Sequence, residues 1–142
     1  MRVGVLGLDN YQAIAYTQLF NDPKATGDLA GLRVVAAFAA PASSDIAESV
    51  ESLPKWKADI VKFDVKLVAS IDELLRNCDA VMIMSLDGRT HLEQATPVLK
   101  ATAATSLSTA SGTIAPARRP LLFDASRALG NNTTLRCMML AR

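Results

Sequence analysis

The feature that most constrains the fold lies at the start of the chain, where an apolar run leads through a glycine into a polar turn. Residues 3–6 read as a buried strand without polar side chains, as parallel-sheet strands tend to be because helices cover both faces. Gly7 and a polar turn then precede a segment whose apolar positions, Ile14, Leu19 and Phe20, lie near one helical face. A strand, a glycine turn and a helix in this order are typical of a nucleotide-binding βαβ unit, in which the helix N-terminus attracts a phosphate.

The alternation of strands and helices continues along the chain. Further strands are expected at residues 32–38, 64–68 and 79–84. A capping box at Ser70-Ile-Asp-Glu73, in which the serine and glutamate side chains satisfy each other's backbone N–H groups, opens one intervening helix, and residues 90–101 form another. Strands separated by helices favour right-handed crossovers. The predicted fold class is therefore a single α/β domain with a doubly wound, mostly parallel, Rossmann-type sheet.

The pattern fails after residue 101. Residues 101–111 are almost wholly alanine, threonine and serine, and they offer little apolar bulk where a fifth central strand is expected. We therefore divide the domain into a dinucleotide-binding Rossmann core at residues 1–101 and a degraded remainder at residues 102–142. The remainder is expected to contain a weak fifth strand, one helix over residues 114–130 and an irregular tail.

The bulk properties exclude several classes of function. Fifteen basic and fourteen acidic side chains leave a formal net charge of +1, and no basic stripe alternates with aromatic residues, which argues against nucleic-acid binding. No apolar run approaches the roughly 20 residues of a membrane helix, and nothing resembles a secretory signal, so we expect a cytoplasmic protein with no membrane partner. The two cysteines, Cys78 and Cys137, lack metal-ligand spacing, so no metal site is expected.

Three stretches of the chain carry a resemblance to a known enzyme family. They are Val3-Gly-Val-Leu-Gly-Leu-Asp9, Ser70-Ile-Asp-Glu-Leu-Leu-Arg-Asn-Cys-Asp-Ala-Val-Met-Ile83 and Ser85-Leu-Asp-Gly-Arg-Thr-His-Leu-Glu-Gln-Ala95, of which the last is the most specific. Residues 2–101 thereby resemble the N-terminal domain of the Gfo/Idh/MocA oxidoreductases. The resemblance implies NAD or NADP as the small-molecule cofactor and hydride transfer on a sugar, polyol or related small substrate. In full-length relatives it also implies a second, substrate-binding α/β domain and often a homo-oligomer.

The chain departs from this family in two ways. We expect no second domain in this chain, and a Glu/Asp-Lys-Pro motif, whose lysine is usually assigned a catalytic role, is absent from its expected place just after Lys100. Lys100 itself is interpreted as a solvated charge near the end of a surface helix, where it complements the helix dipole. We therefore assign no catalytic residue, and we predict that this chain alone is inactive.

A reading-frame hypothesis explains the missing motif. Codons for Thr102-Ala-Ala-Thr-Ser-Leu-Ser108 can be chosen so that a displaced frame reads Gly-Arg-Asp-Val-Phe-Ile-Asp, the kind of residues that the family places there. Beyond it, Gly112-Thr-Ile-Ala115 and residues 122–130 again resemble the family's next helix. Compensating frame errors would leave a degraded strand between recognisable neighbours. A natural variant is the alternative, and the nucleotide sequence distinguishes the two.

The first half of the candidate cofactor site is the turn after the first strand. The second and third glycine positions of a G-x-G-x-x-G fingerprint that starts at Gly7 hold Asp9 and Gln12, and a carboxylate there repels a pyrophosphate. The backbone N–H groups of this turn can still face a cofactor. Alternatively, Gly7 only permits a tight turn, and Asp9 or Asn10 caps the helix. The candidate cofactor-binding residues here are Gly7, Leu8, Asp9, Asn10 and Tyr11.

The second half of the site follows the fourth predicted strand. Its candidate cofactor-binding residues are Ser85, Leu86, Asp87 and His91. Ligands collect beyond the carboxyl ends of strands in open α/β sheets, and the resemblance places Ser85 and Leu86 beside the nicotinamide ribose, with His91 near the same cleft. The alternative is purely structural: Asp87 and Gly88 form a turn, and His91 begins a helix and is satisfied by its neighbours.

The choice between NAD and NADP stays open at the end of the second strand. NAD sites carry an acidic residue there to bind the ribose hydroxyls, but this strand ends Phe38-Ala-Ala-Pro41 and no acid follows until Asp45. Ser43 and Ser44 either hydrogen-bond a ribose or a 2′-phosphate or cap the next helix.

Two functions follow for the whole chain. It is the cofactor-binding half of an oxidoreductase, or it is a non-catalytic nucleotide-binding or protein-interaction module, with a defective fragment as a third case.

Overall fold

Strands and helices alternate along the part of the chain that the computed structural model describes, residues 1–108 and 138–141. The elements are β1 (Arg2–Leu6), α1 (Tyr11–Phe20), β2 (Arg33–Phe38), α2 (Ala47–Ile60), β3 (Lys66–Val68), α3 (Ile71–Asn77), β4 (Ala80–Ile83), α4 (His91–Ser108) and β5 (Met138–Ala141). Short 3-10 turns at Gly27–Leu29, Val61–Phe63 and Gly88–Thr90 complete the connections.

The strands form a sheet in the order β3-β2-β1-β4-β5. β1 pairs in parallel with both β2 and β4, and β3 adds in parallel to β2. β5 is antiparallel to β4, with Ala141 opposite Ala80. The chain thus moves outward from β1 to β3 and then returns to the other side of β1. This order confirms the predicted α/β fold class with a mostly parallel, Rossmann-type sheet.

Helices cover both faces of the sheet. Successive residues of a strand point to opposite faces, so each strand contributes side chains to two separate cores. On one face, Val3 and Val5 of β1 lie in a core cluster with Ile14 of α1 and Ile60 of α2. On the other face, Leu6 of β1 lies in a second cluster, whose helical members from α3 and α4 are Leu74, Leu75, Ala95 and Val98. The sheet is therefore doubly wound, as predicted.

The capping box at the start of α3 forms one of its two expected bonds. The Oγ atom of Ser70 accepts a hydrogen bond from the backbone N of Glu73 at 3.1 Å. The Glu73 carboxylate does not return to Ser70, because it accepts from the backbone N of Ala69 at 3.0 Å and from Lys66 Nζ at 2.9 Å. These bonds hold the pKa of Glu73 below its ordinary value, with the Lys66 bond as the largest cause.

The region after residue 100 differs from the sequence prediction. A weak fifth strand is expected over residues 101–111, but α4 continues to Ser108. Alanine is the best helix former, and this segment has no β-branched apolar side chains to bury in a sheet. Because α4 extends to Ser108, Lys100 lies in the middle of the helix rather than near its end. Its side chain is exposed.

The tail also differs, because Met138–Ala141 is a strand and not irregular. The helix predicted over residues 114–130 lies outside the described residues. Among residues 1–108 and 138–141, no helix combines the length and the apolar character that crossing a membrane requires.

Candidate functional site

The loops after β1 and β4 meet at the carboxyl edge of the sheet. Leu6 pairs with Ile83 in register, and the backbone N of Met84 donates to Leu6 O at 2.7 Å. The chain leaves β1 for a helix on one face and leaves β4 for a helix on the other, which makes this the topological switch point, where open α/β sheets bind ligands. The structure therefore brings together the two turns that the sequence singles out.

Gly7 holds the two loops in direct contact. Its φ of +92° is a left-handed conformation that favours glycine, and its backbone N donates to Phe38 O at 2.9 Å. A Cβ atom added at Gly7 would stand 2.3 Å from Ser85 Oγ and 2.4 Å from the Ser85 backbone N. Only a glycine lets β1 turn this close to the residue that follows β4.

Asp9 does not cap α1 and is instead a buried carboxylate between three elements. It is only 4% exposed. Its Oδ1 atom accepts from the backbone N of Leu86 at 3.0 Å, and its Oδ2 atom accepts from Ser49 Oγ at 2.6 Å. The side chain therefore joins the loop after β1 to α2 and to the loop after β4.

Asn10 is the N-cap of α1, the other of the two alternatives. Its Oδ1 atom accepts from the backbone N of Gln12 at 2.9 Å, and its Nδ2 group donates to Met84 O. Leu8 is fully buried in the core, whereas Tyr11 is 58% exposed and its ring stands 5.6 Å from that of Trp56 in α2. Within this turn, Tyr11 is thus the predicted site residue with a largely exposed side chain.

A hydrogen bond joins the imidazole ring of His91 to the backbone of Ser85, not to its hydroxyl. The Nε2 atom of His91 donates to the backbone O of Ser85 at 2.7 Å, since a carbonyl oxygen only accepts. The hydroxyl of Ser85 instead lies 2.8 Å from Gln94 Nε2, which donates to it. Because His91 does not contact that hydroxyl, the pair is not an activated serine nucleophile.

Gln94 is a member of this cluster that the sequence reasoning missed. It lies three residues after His91 on α4, so the two side chains share a helix face, and this spacing is the signal that could have found it. Its Nε2 group also donates to Thr90 Oγ1 at 3.1 Å. Its Oε1 atom is buried and has no hydrogen-bond partner among the described residues.

Asp87 ties the end of β2 to the loop after β4. It is 7% exposed, and its carboxylate accepts from Ser43 Oγ at 2.7 Å and from the backbone N of Arg89 at 2.9 Å. The Arg89 guanidinium binds both Asp87, at 2.8 Å, and Asp45, at 2.7 Å. The side-chain bond from Arg89, followed by that from Ser43, holds the pKa of Asp87 well below its ordinary value. The same ion pairs raise the pKa of Arg89.

Ser43 is therefore not a helix cap. The N-cap of α2 is Ile46, and no side chain caps that helix. The backbone N of Ser43 instead donates to Ser49 Oγ at 3.0 Å, while its hydroxyl donates to Asp87. Asp45, the first acid after β2, pairs with Arg89, so its carboxylate is already engaged.

The turn after β1 fits one demand of a dinucleotide and contradicts another. Gly7 allows close approach to the backbone, and the N-terminus of α1 lies at the same edge. A diphosphate at this point, however, would meet the buried carboxylate of Asp9, which stands where the fingerprint has its second glycine. No cluster of metal-ligating side chains exists within the part of the chain described here.

Comparisons with known proteins identify no family for this chain. No family model matches it, and no curated protein and no solved structure matches it.

Proposed function

We propose that this chain is the nicotinamide-dinucleotide-binding half of an oxidoreductase of the Gfo/Idh/MocA type, with NAD or NADP as its cofactor. The observation that carries the proposal is the contact between Gly7 and Ser85 at the point where the strand order reverses. Open α/β sheets bind ligands at this point, and those that bind dinucleotides have a glycine-rich turn there. A cytoplasmic location belongs to the same proposal.

The chain binds a cofactor in this proposal but does not turn it over alone. None of the site residues presents an activated nucleophile, and Lys100 lies exposed in the middle of α4, so it does not replace the missing lysine. In full-length relatives, a second domain supplies most of the pocket for the sugar, polyol or related substrate.

The end of β2 does not select between the two cofactors. Asp45 is paired with Arg89, and the Ser43 hydroxyl is bonded to Asp87. Neither side chain is therefore poised to recognise a ribose hydroxyl or a 2′-phosphate. NAD and NADP are consequently expected to bind with similar affinity.

Isothermal titration calorimetry of the 142-residue chain with NAD⁺ and NADP⁺ tests the proposal. Saturable binding of both at a 1:1 ratio is expected, with no hydride transfer to either in the presence of polyols. Two matched variants locate the site. Gly88 is exposed at the crevice with open space around it, so Gly88→Glu is expected to weaken binding at least about threefold by repulsion. Ala30→Glu adds the same charge at an exposed position before β2, at the opposite edge, and leaves binding unchanged. The absence of binding at millimolar cofactor overturns the proposal.

A non-catalytic module is the second candidate, and one observation favours it. The carboxylates of Asp9 and Asp87 and the amide of Asn10 all find their hydrogen-bond partners inside the protein. The polar atoms of these three side chains therefore need no ligand to satisfy them. Silence in the calorimetric titration, together with a folded chain, supports this candidate.

A further inference from the structure

The donors around Asp9 are the kind that bind phosphate oxygens. Its carboxylate accepts from a backbone N–H group, that of Leu86, and from a hydroxyl, that of Ser49. Asp9 also directly precedes the N-cap of α1, a ten-residue helix whose N-terminal N–H groups favour an anion. The protein's own carboxylate therefore stands beside the turn where the phosphates of a dinucleotide are expected, at the position of the fingerprint's second glycine.

This carboxylate is held firmly in place by its surroundings. It is 4% exposed and is bonded on both oxygens to elements that are separate in sequence. The adjacent Asn10 binds the backbone O of Met84 and so fixes the same turn to β4. An incoming diphosphate must either displace the carboxylate from its donors or lie against its negative charge, and both weaken binding.

We infer that Asp9 is a specificity-determining residue, an internal anion beside the turn after β1 that weakens the binding of diphosphate-containing ligands. The inference rests on the proposed function only for the place of the ligand, because it concerns the same crevice. An aspartate in place of the fingerprint's second glycine thus weakens the native chain's affinity for a dinucleotide.

The experiment compares the affinities of the native chain and three variants for NAD⁺ and for adenosine by calorimetry. Asp9→Asn removes the charge but keeps the size and an acceptor for Leu86 N, and Asp9→Gly restores the glycine. Asp72→Asn makes the matched change at an exposed residue of α3. We expect NAD⁺ to bind Asp9→Asn at least about tenfold more tightly than the native chain. Adenosine, which has no phosphate, is expected to bind all four proteins equally.

The outcomes separate the two proposals. Equal NAD⁺ affinity of the native chain and both Asp9 variants overturns the inference and leaves the proposed function standing. Binding by the Asp9 variants alone supports the inference and overturns the proposed function for the native chain. If no protein binds, both are wrong. A circular dichroism melt of each variant confirms folding, and Asp9→Gly decides the matter if Asp9→Asn does not fold.

Discussion

The hydroxyl of Ser43 donates a 2.7 Å hydrogen bond to the Oδ2 atom of Asp87, 44 residues further along the chain. This bond joins the loop after β2 to the loop after β4. Arg89 extends the connection to Asp45, which also follows β2. Asp9, in the loop after β1, makes a second connection by bonding to Ser49 of α2 and to the backbone N of Leu86. Side chains from three loops thus hold the carboxyl edge of the sheet together.

The first prediction concerns this connection. Ser43→Ala is expected to lower the free energy of unfolding in urea, because it removes one hydrogen bond to the buried Asp87 Oδ2 atom, which then keeps only its bonds from Arg89. In an Asp87→Asn background, the effect of Ser43→Ala should shrink clearly, since a charge-assisted bond is no longer at stake. Additive effects of the two substitutions would contradict a direct coupling.

The second prediction separates backbone strain from crowding at Gly7. Gly7→Ala is expected to lower the free energy of unfolding by about 3 kcal/mol for two reasons. Alanine is strained at a positive φ, and its Cβ would overlap with the Oγ and backbone N atoms of Ser85. Gly31 has a similar φ of +83°, but a Cβ there meets nothing within 4 Å, so Gly31→Ala should cost only about 1 kcal/mol. Equal losses, measured by urea denaturation, would remove the close contact as an explanation.

The third prediction is a pH dependence. Hydrogen bonds from the Arg2 side chain, then from its backbone N, lower the pKa of Asp79 to about 2. Because the folded-state pKa lies below the unfolded value of about 3.9, this carboxylate stabilises the fold above about pH 4 and loses that effect as the pH falls towards 2.

Asp79→Asn measures this contribution. The Asp79 side chain is 42% exposed, so the native chain should exceed the variant by no more than about 1 kcal/mol at pH 7. The difference in unfolding free energy should be much smaller at about pH 2 and should disappear only below that pH. A difference that persists undiminished at that pH would show that packing, rather than the ion pair, separates the two proteins.

The fourth prediction concerns the start of α3. Ser70→Ala removes the acceptor for the backbone N of Glu73 and is expected to lower the free energy of unfolding by about 1 kcal/mol. Ser70→Asp keeps an acceptor at the N-cap and should restore most of the loss. Thermal unfolding of the three proteins, followed by circular dichroism, makes the comparison.

The sheet and its helices were predictable because their signals are local. Apolar runs such as residues 3–6 and 79–84 mark buried strands, and the segments between them have helical spacing or caps. Once these strands are parallel, their carboxyl ends share an edge. The meeting of Gly7 with Ser85 therefore follows from the topology alone.

The roles of the site side chains were not predictable. Asp9 bonds to residues 40 and 77 positions away, and no local pattern shows such partners. The choice between Asp9 and Asn10 as the cap of α1 was open for the same reason. Ser43 also resembles a cap in sequence and bonds to Asp87 only because the loops after β2 and β4 converge.

The prediction of a strand was wrong over residues 101–108 for a different reason. It expected a strand because the domain pattern demanded one, although the alanine-rich residues favour a helix, and α4 takes them as far as Ser108. The reading-frame hypothesis stays a prediction. The coding sequence around residues 101–142 tests it, and the absence of the alternative frame there would remove it.

The antiparallel pairing of β5 with β4 has a consequence for the behaviour of shortened chains. β4 is apolar and buried throughout, and β5 occupies the N–H and C=O groups along its outer side. Removing residues 138–142 would expose β4 as an apolar edge strand whose outer N–H and C=O groups have lost their partners in β5. Another chain could then pair with that edge. Such edges template self-association, so the truncated protein should precipitate at concentrations where the intact one stays dispersed.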